Sequence, residues 1–257
     1  MYIVVFYLLV VNFLNSGFRL LKAVKDWYRI PLYHIGLTPK PIISLRHGPK
    51  LLYVPGLFSL EQFLDQPYRR LNVSGRVVLD VGAYIGDSAL YFWSRGAKWV
   101  YAFEPYPYLY EIARENLKIN MVNNITLFNQ AVGSEDGFIN VDTKYVPKAK
   151  SHARDFGSGI PIRVRAFDSL VNEMGLKDAV LKMDCEGCEY NALINASEST
   201  LKSFSEIILE YHYQGYAKLA HKLLDNGFAL EFLDQTGSHI DVPLQKLGLI
   251  YCKKTTD

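Results

Sequence analysis

The stretch Val77–Tyr91, VVLDVGAYIGDSALY, constrains this chain more than any other. Its apolar run Val77-Val78-Leu79 predicts a strand buried on both faces, as in a parallel sheet. The run stops at Asp80, and Gly82 and Gly86 follow. Asp87 and Ser88 can cap a helix whose apolar face includes Ala89, Leu90 and Phe92. Strand, glycine turn and helix N-terminus together form a nucleotide cradle, because glycine lets backbone come close to a ligand.

The ligand is constrained by what the turn lacks. A dinucleotide pyrophosphate asks for G-x-G-x-x-G beside a helix N-terminus. Here the pattern is D-x-G-A-x-x-G-D, with the middle glycine missing and an acid on each side. Two carboxylates repel a pyrophosphate; they suit a ligand carrying an amine and a sulfonium. A second apolar strand, Trp99 to Glu104, also ends in an acid. Glu104 follows Gly86 by 18 residues, near the roughly twenty expected for an acid that grips ribose hydroxyls. The competing reading is an unrelated strand that happens to end in Glu, and the joint fit of spacing and acid position counts against it.

A third unit, Val180 to Leu193, VLKMDCEGCEYNAL, again runs from strand through acids to a turn glycine and a helix. VLDVGAYIGD, AFEPYPYLYEIARENLKIN and LKMDCEGCEYNAL, in that order, resemble the FkbM family of S-adenosylmethionine-dependent methyltransferases. The matching motifs are D-V-G-A-x-x-G-D, F-E-P and L-K-x-D-x-E-G-x-E. The resemblance runs from about Gly75 to Lys253 and leaves the first seventy residues uncovered. It implies a Rossmann-like α/β domain with a seven-stranded, mostly parallel sheet, and S-adenosylmethionine as cofactor. The expected division is an N-terminal helix and cover over 1–70, with a hairpin, and the methyltransferase domain over 71–257.

Ligands of open α/β sheets lie beyond the carboxyl ends of the strands. Asp80 is expected to order the glycine loop and meet the methionine amino group. Gly82, Ala83 and Gly86 supply close backbone, and Tyr84 can lay its ring near the sulfonium. Gln130, at the end of a strand expected over Ile125–Val132, can meet adenine, with Asn129 competing for the role. Asp184, Glu186 and Glu189 crowd one strand-to-helix turn and call for a positive partner: the sulfonium, Lys182, a substrate amine or a divalent metal. Asp184 and Glu186 are taken as functional and Glu189 as a helix-start acid that favours the dipole; no metal is assigned. His212, in LEYHY, can accept a hydroxyl proton at neutral pH, with Asp184 as the other candidate base. Period-two alternation puts Glu210 on the face of His212. A hydrogen-bonded histidine at a strand end is the competing reading.

Composition sets bounds. Lys and Arg number 28 against 26 Asp and Glu, a net charge of +2, which is no footprint for nucleic acid. Three cysteines in 257 residues read as reduced, without a disulfide framework, and point to the cytoplasm. Cys185 and Cys188 are expected as small fillers inside the acidic motif. The basic run Lys144, Lys148, Lys150, His152 and Arg154 reads as an exposed loop or a clamp on an anionic acceptor.

Tyr2–Leu14 is apolar but short of the roughly twenty residues of a spanning helix. With Phe18, Leu21, Val24, Trp27 and Tyr28 alternating with Arg19, Lys22, Lys25 and Arg29, residues 1–29 predict one long helix. It either contacts a membrane surface peripherally or packs on its own domain or on a second copy, making a homo-oligomer. Prolines at 31, 39, 41, 49 and 55 exclude a long helix next. His47-Gly48-Pro49 predicts a hairpin turn, and the segment is expected to cover one sheet edge.

The leading expectation is methyl transfer to a hydroxyl of a sugar, glycan, lipid or other small metabolite. The alternatives are a nicotinamide-dependent oxidoreductase on the same kind of sheet, which the acidic turn counts against, and a non-catalytic membrane-associated binding protein, which the intact strand-end acids count against.

Overall fold

Apolar runs alternating with amphipathic helices build one large sheet in the computed structural model, which describes residues 21–141, 159–212 and 215–255. The chain enters through α1 (Arg29–His34), a hairpin of β1 (Ile42–Ser44) and β2 (Lys50–Leu52), and α2 (Glu61–Leu64). Then β3 (Val77–Val81), α3 (Asp87–Ser94), β4 (Trp99–Phe103), α4 (Pro107–Ile119) and β5 (Ile125–Phe128) alternate. A side sheet follows from β6 (Ala131–Gly133), β7 (Gly137–Val141) and β8 (Ile160–Ala166). After α5 (Phe167–Glu173) come β9 (Ala179–Met183), α6 (Cys188–Asn195), α7 (Glu198–Lys202), β10 (Phe204–His212), α8 (Tyr216–Asp225), β11 (Phe228–Leu233) and β12 (Leu247–Lys254).

The main sheet has seven strands in the order β11-β12-β10-β9-β3-β4-β5. From β10 to β5 neighbours are parallel, and β12 runs antiparallel to both β10 and β11. Both faces of β3 and β9 are covered, which is why these strands read as apolar runs interrupted only by the facing pair Asp80 and Lys182. Pro107 starts α4 where a missing N–H costs nothing. Its buried face carries Leu109, Ile112, Ala113 and Asn116, the spacing of one helical stripe.

Three expectations are corrected here. The strand expected over Ile125–Val132 is two strands in different sheets: β5 ends at Phe128, and the Asn129 side-chain amide donates to the carbonyls of Glu104 (2.9 Å) and Pro105 (3.0 Å), turning the chain away. The long helix expected over 1–29 does not continue to Tyr28. Residues 1–20 lie outside the described residues, and Val24 leaves the helix to bridge Leu45, with Lys25 N donating to Ser44 O and Arg46 N to Ala23 O.

The hairpin covers helices rather than a sheet edge. Asn116 of α4 accepts from Leu52 N (2.7 Å) and donates to Ile85 O (2.9 Å). Asn120 accepts from Lys50 N (2.8 Å) and donates to Lys50 O (2.7 Å). A carboxamide presents the same donor and acceptor as a peptide group, so α4 completes the backbone pairing that β2 lacks on that side. Ile43, Leu45 and Leu51 bury against Leu90 of α3 in the same cluster. No helix among the described residues is long and apolar enough to cross a membrane.

Candidate active site

After β3 the chain steps outward through β4 and β5, then returns to the other side of β3 as β9. Ligands of open α/β sheets sit at such a reversal, beyond the strands' carboxyl ends. The loops that follow β3 and β9 touch there. A Cβ on Gly82, whose φ is +83°, would lie 1.8 Å from the Asp184 carbonyl oxygen, so no side chain fits at this position.

A pocket opens at this point. Its wall includes Gly82, Tyr84 and Asp87 after β3, Glu104 and Tyr106 after β4, and Asp184, Cys185 and Glu186 after β9. Glu210 of β10, Tyr68, Lys182, Gln235 and Leu249 also line it, as do Glu61 and Gln62 of α2.

Glu104 is buried with both oxygens fixed: Oε2 accepts from Tyr84 N and Oε1 from Tyr106 N, each at 2.9 Å. Burial pushes its carboxyl up to about 8, against the pull of these hydrogen bonds and of Lys182. Burial likewise pushes Asp87 up to about 7.

Asp80 is fully buried behind the wall rather than on it. Its Oδ2 accepts from Ser88 Oγ at 2.6 Å, and its Oδ1 lies 3.1 Å from Lys182 Nζ. Ser88 thus binds the strand-end acid instead of capping α3, whose N-cap is Gly86 at φ +80°. The Lys182 ammonium also donates to the carbonyls of Val81 (3.2 Å) and Gly82 (2.5 Å). Burial works against its charge, but Asp80 and Asp184 outweigh burial and hold its pKa above the ordinary lysine value.

Asp184 Oδ2 accepts from the Tyr68 hydroxyl at 2.8 Å. Burial, together with Asp184 and Glu210, raises the Tyr68 phenol well above its usual range. Glu189 lies in the first turn of α6 and braces the preceding loop, accepting from Cys185 N (2.6 Å) and Gly187 N (2.8 Å). Burial pushes it up to about 7. His212 Nε2 stands 3.1 Å from Glu210 Oε1 and 3.3 Å from Glu186 Oε2. Burial first, then Asp184, Glu186 and Glu189, push Glu210 up to about 10.

Of the residues expected from sequence, Gly82, Tyr84, Glu104, Asp184 and Glu186 reach the pocket wall. Asp80, Ala83 and Gly86 lie behind it, Gln130 is off it, and His212 touches it only through Glu186 and Glu210. The basic run from Lys144 to Arg154 lies outside the described residues.

The cysteine expectation is overturned: Cys185 and Cys188 form a disulfide, and Cys252 is a buried free thiol. Between them Glu186 and Gly187 take positive φ values of +59° and +123°, which curls the loop back and brings the two sulfurs together. The cysteine count therefore no longer argues for a reducing compartment.

Sequence reasoning missed Tyr68 and Gln235, which come from flanking segments without a motif. It also named Lys182 only as one possible partner for the acids. Its signal was available: a lysine in the middle of a strand buried on both faces needs an acid beside it, and Asp80 stands opposite it in the β3–β9 register.

Strand order, antiparallel β12 and acids at the ends of neighbouring strands define the Rossmann-like sheet of a class I methyltransferase. The model of the methyltransferase FkbM domain matches residues 80–240, and the chain belongs to that family. Among solved structures, precorrin-6y C5,15-methyltransferase from Geobacter metallireducens GS-15 is similar at 16% identity and TM-score 0.47, over 80% of this chain and 93% of that one. A ribosomal protein L11 methylase from Lactobacillus delbrueckii subsp. bulgaricus is similar at 17% identity and TM-score 0.44, over 74% and 76%. SMU.776, complexed with SAH, is similar at 12% identity and TM-score 0.48, over 84% and 56%. No curated protein sequence matches the chain.

Proposed function

We propose that this methyltransferase uses S-adenosylmethionine to methylate a hydroxyl group of a sugar, glycan, lipid or other small metabolite. The observation that carries the reading is Glu104: a buried acid at the end of β4, both oxygens aimed by backbone N–H groups, on the pocket wall beside the glycine loop. An acid so placed suits a ribose diol.

The other roles follow from position. Gly82, Ala83 and Gly86 shape the loop, and Asp80 orders it through Lys182. The methionine ammonium meets acids that reach the wall, Asp87 and Asp184, with Glu186 nearby. Tyr84 faces the sulfonium with its ring. Gln130 remains the candidate for adenine over Asn129, whose amide is committed to two carbonyls; its Oε1 has no hydrogen-bond partner among the described residues, and from off the wall the side chain has to turn toward the pocket. Transfer is an in-line displacement, so holding acceptor oxygen, methyl and sulfur in line is the main task. The hydroxyl proton leaves to Asp184 directly, or to His212 through the carboxylates in front of it. Residues 1–70 act as the cover and 71–257 as the catalytic domain, with residues 1–29 as the part that meets a membrane surface or a second copy.

Calorimetry with S-adenosylmethionine, S-adenosylhomocysteine and NAD tests the cofactor. Binding of NAD alone would replace this reading with an oxidoreductase. Mass spectrometry of glycans and lipids from cells with and without the protein, searched for a shift of one methyl group, tests the acceptor.

A further inference from the structure

We propose that Glu186, Glu210 and His212 bind a divalent cation where Glu186 and Glu210 line the pocket. Two elements bring them together. Glu210 and His212 alternate along β10 and so share a face, and Glu186 projects from the turn after β9, in left-handed backbone at φ +59°. One ligand atom from each lies within 4.8 Å of the others.

Spacing and charge both fit an ion. The imidazole Nε2 faces the two carboxylate oxygens at 3.1 and 3.3 Å. Bonds of roughly 2.0–2.2 Å from nitrogen and oxygen ligands put neighbouring ligands about 2.8–3.1 Å apart in octahedral and about 3.3–3.6 Å apart in tetrahedral geometry. As ligands, two carboxylates and an imidazole bring a charge of −2, which a divalent ion cancels, and binding releases the proton that burial holds on Glu210. Lys182, a buried cation among the described residues, has its ammonium on Asp80 and on the Val81 and Gly82 carbonyls.

The histidine is also held in place. The Tyr190 hydroxyl donates to His212 O and accepts from His212 N, both at 2.8 Å, which fixes the end of β10 against α6. Three protein ligands with open positions toward a pocket is the arrangement of catalytic rather than structural metal sites. One imidazole with two carboxylates suits manganese or zinc better than calcium.

The consequence for catalysis rests on the methyltransferase reading, but the binding itself does not. A cation here would lower the pKa of an acceptor hydroxyl that coordinates it from the pocket. His212 is then a ligand, and Asp184 takes the proton.

The test is a titration of the full chain with Mn2+, followed by electron paramagnetic resonance of the free ion, with S-adenosylhomocysteine binding measured in parallel by calorimetry. One Mn2+ per chain is expected. Glu210→Gln and His212→Gln should each weaken it roughly tenfold or more while S-adenosylhomocysteine still binds. Glu186→Gln, on the loop rather than in the sheet, is the check should the strand variants fail to fold. Mn2+ left free by the wild type at millimolar concentration, or bound equally by all three variants, overturns the site. If Mn2+ binds and S-adenosylhomocysteine does not, the cation site stands and the methyltransferase reading falls.

Discussion

Asp80 and Lys182 stand opposite each other in the parallel pairing of β3 with β9, and their side chains close to 3.1 Å with both residues buried. Removing one partner of such a pair leaves an uncompensated charge in the core, at a cost of about 3–5 kcal/mol. Lys182→Met should therefore lower the unfolding free energy by that order, read from urea titration. Adding Asp80→Asn should restore part of the loss. A double variant no more stable than Lys182→Met would show that the pair is not the reason.

Glu104→Ala should weaken S-adenosylhomocysteine about ten- to a hundredfold in calorimetry. The lost hydrogen bonds are to a carboxylate, worth roughly 1.5–3 kcal/mol. Unchanged affinity would mean that Glu104 does not grip the ribose.

The ligand-free protein should become less stable from about pH 5 to pH 9. Glu104 sits at about 8, and Asp87 and Glu189 at about 7, all raised by burial above their unfolded values. An acid whose folded pKa is raised favours the folded state fully below the unfolded pKa. It gives that stability up as pH climbs through the folded value. Each tenfold change in proton affinity is worth about 1.4 kcal/mol. Scanning calorimetry should show the melting temperature falling by several degrees across this range. A rise would contradict the burial of these three acids.

Unfolded without reductant, the chain should titrate as one free thiol, Cys252, and after reduction as three, since Cys185 and Cys188 are paired. The chain-entropy relation gives a loop this short about 2 kcal/mol. Cys185→Ser should thus lower stability modestly. Three thiols without reductant would show the bridge to be absent.

His212→Ala should slow methyl transfer by roughly a hundredfold or more, the scale for a lost base or for a lost ligand that activates the hydroxyl, with S-adenosylhomocysteine affinity unchanged. If the variant keeps its rate while Asp184→Asn loses it, the aspartate acts without the imidazole.

The parts of this fold that were legible in the sequence are local. Val77–Asp80 and Val180–Asp184 announce buried strands because apolar runs end abruptly in acids, and Gly82 announces a close approach because little else tolerates one. What stayed hidden depends on distant meetings. Tyr68 reaches Asp184 across 116 residues, and nothing in the residues around it marks that contact. Cys185 and Cys188 looked like fillers because their pairing depends on backbone angles at Glu186 and Gly187, and glutamate seldom adopts a positive φ. The break after Phe128 was missed because a side chain, Asn129, makes the bonds that end the strand.

The Asn116 carboxamide holds the hairpin at Leu52 with its oxygen and the glycine loop at Ile85 with its nitrogen. One rigid planar group therefore couples the outermost layer of the protein to its innermost turn. Lifting the hairpin would leave a buried acceptor without its donor and free the side chain to rotate, taking Ile85 with it. The outer hairpin and the backbone beneath the pocket thus share one buried side chain as their common anchor.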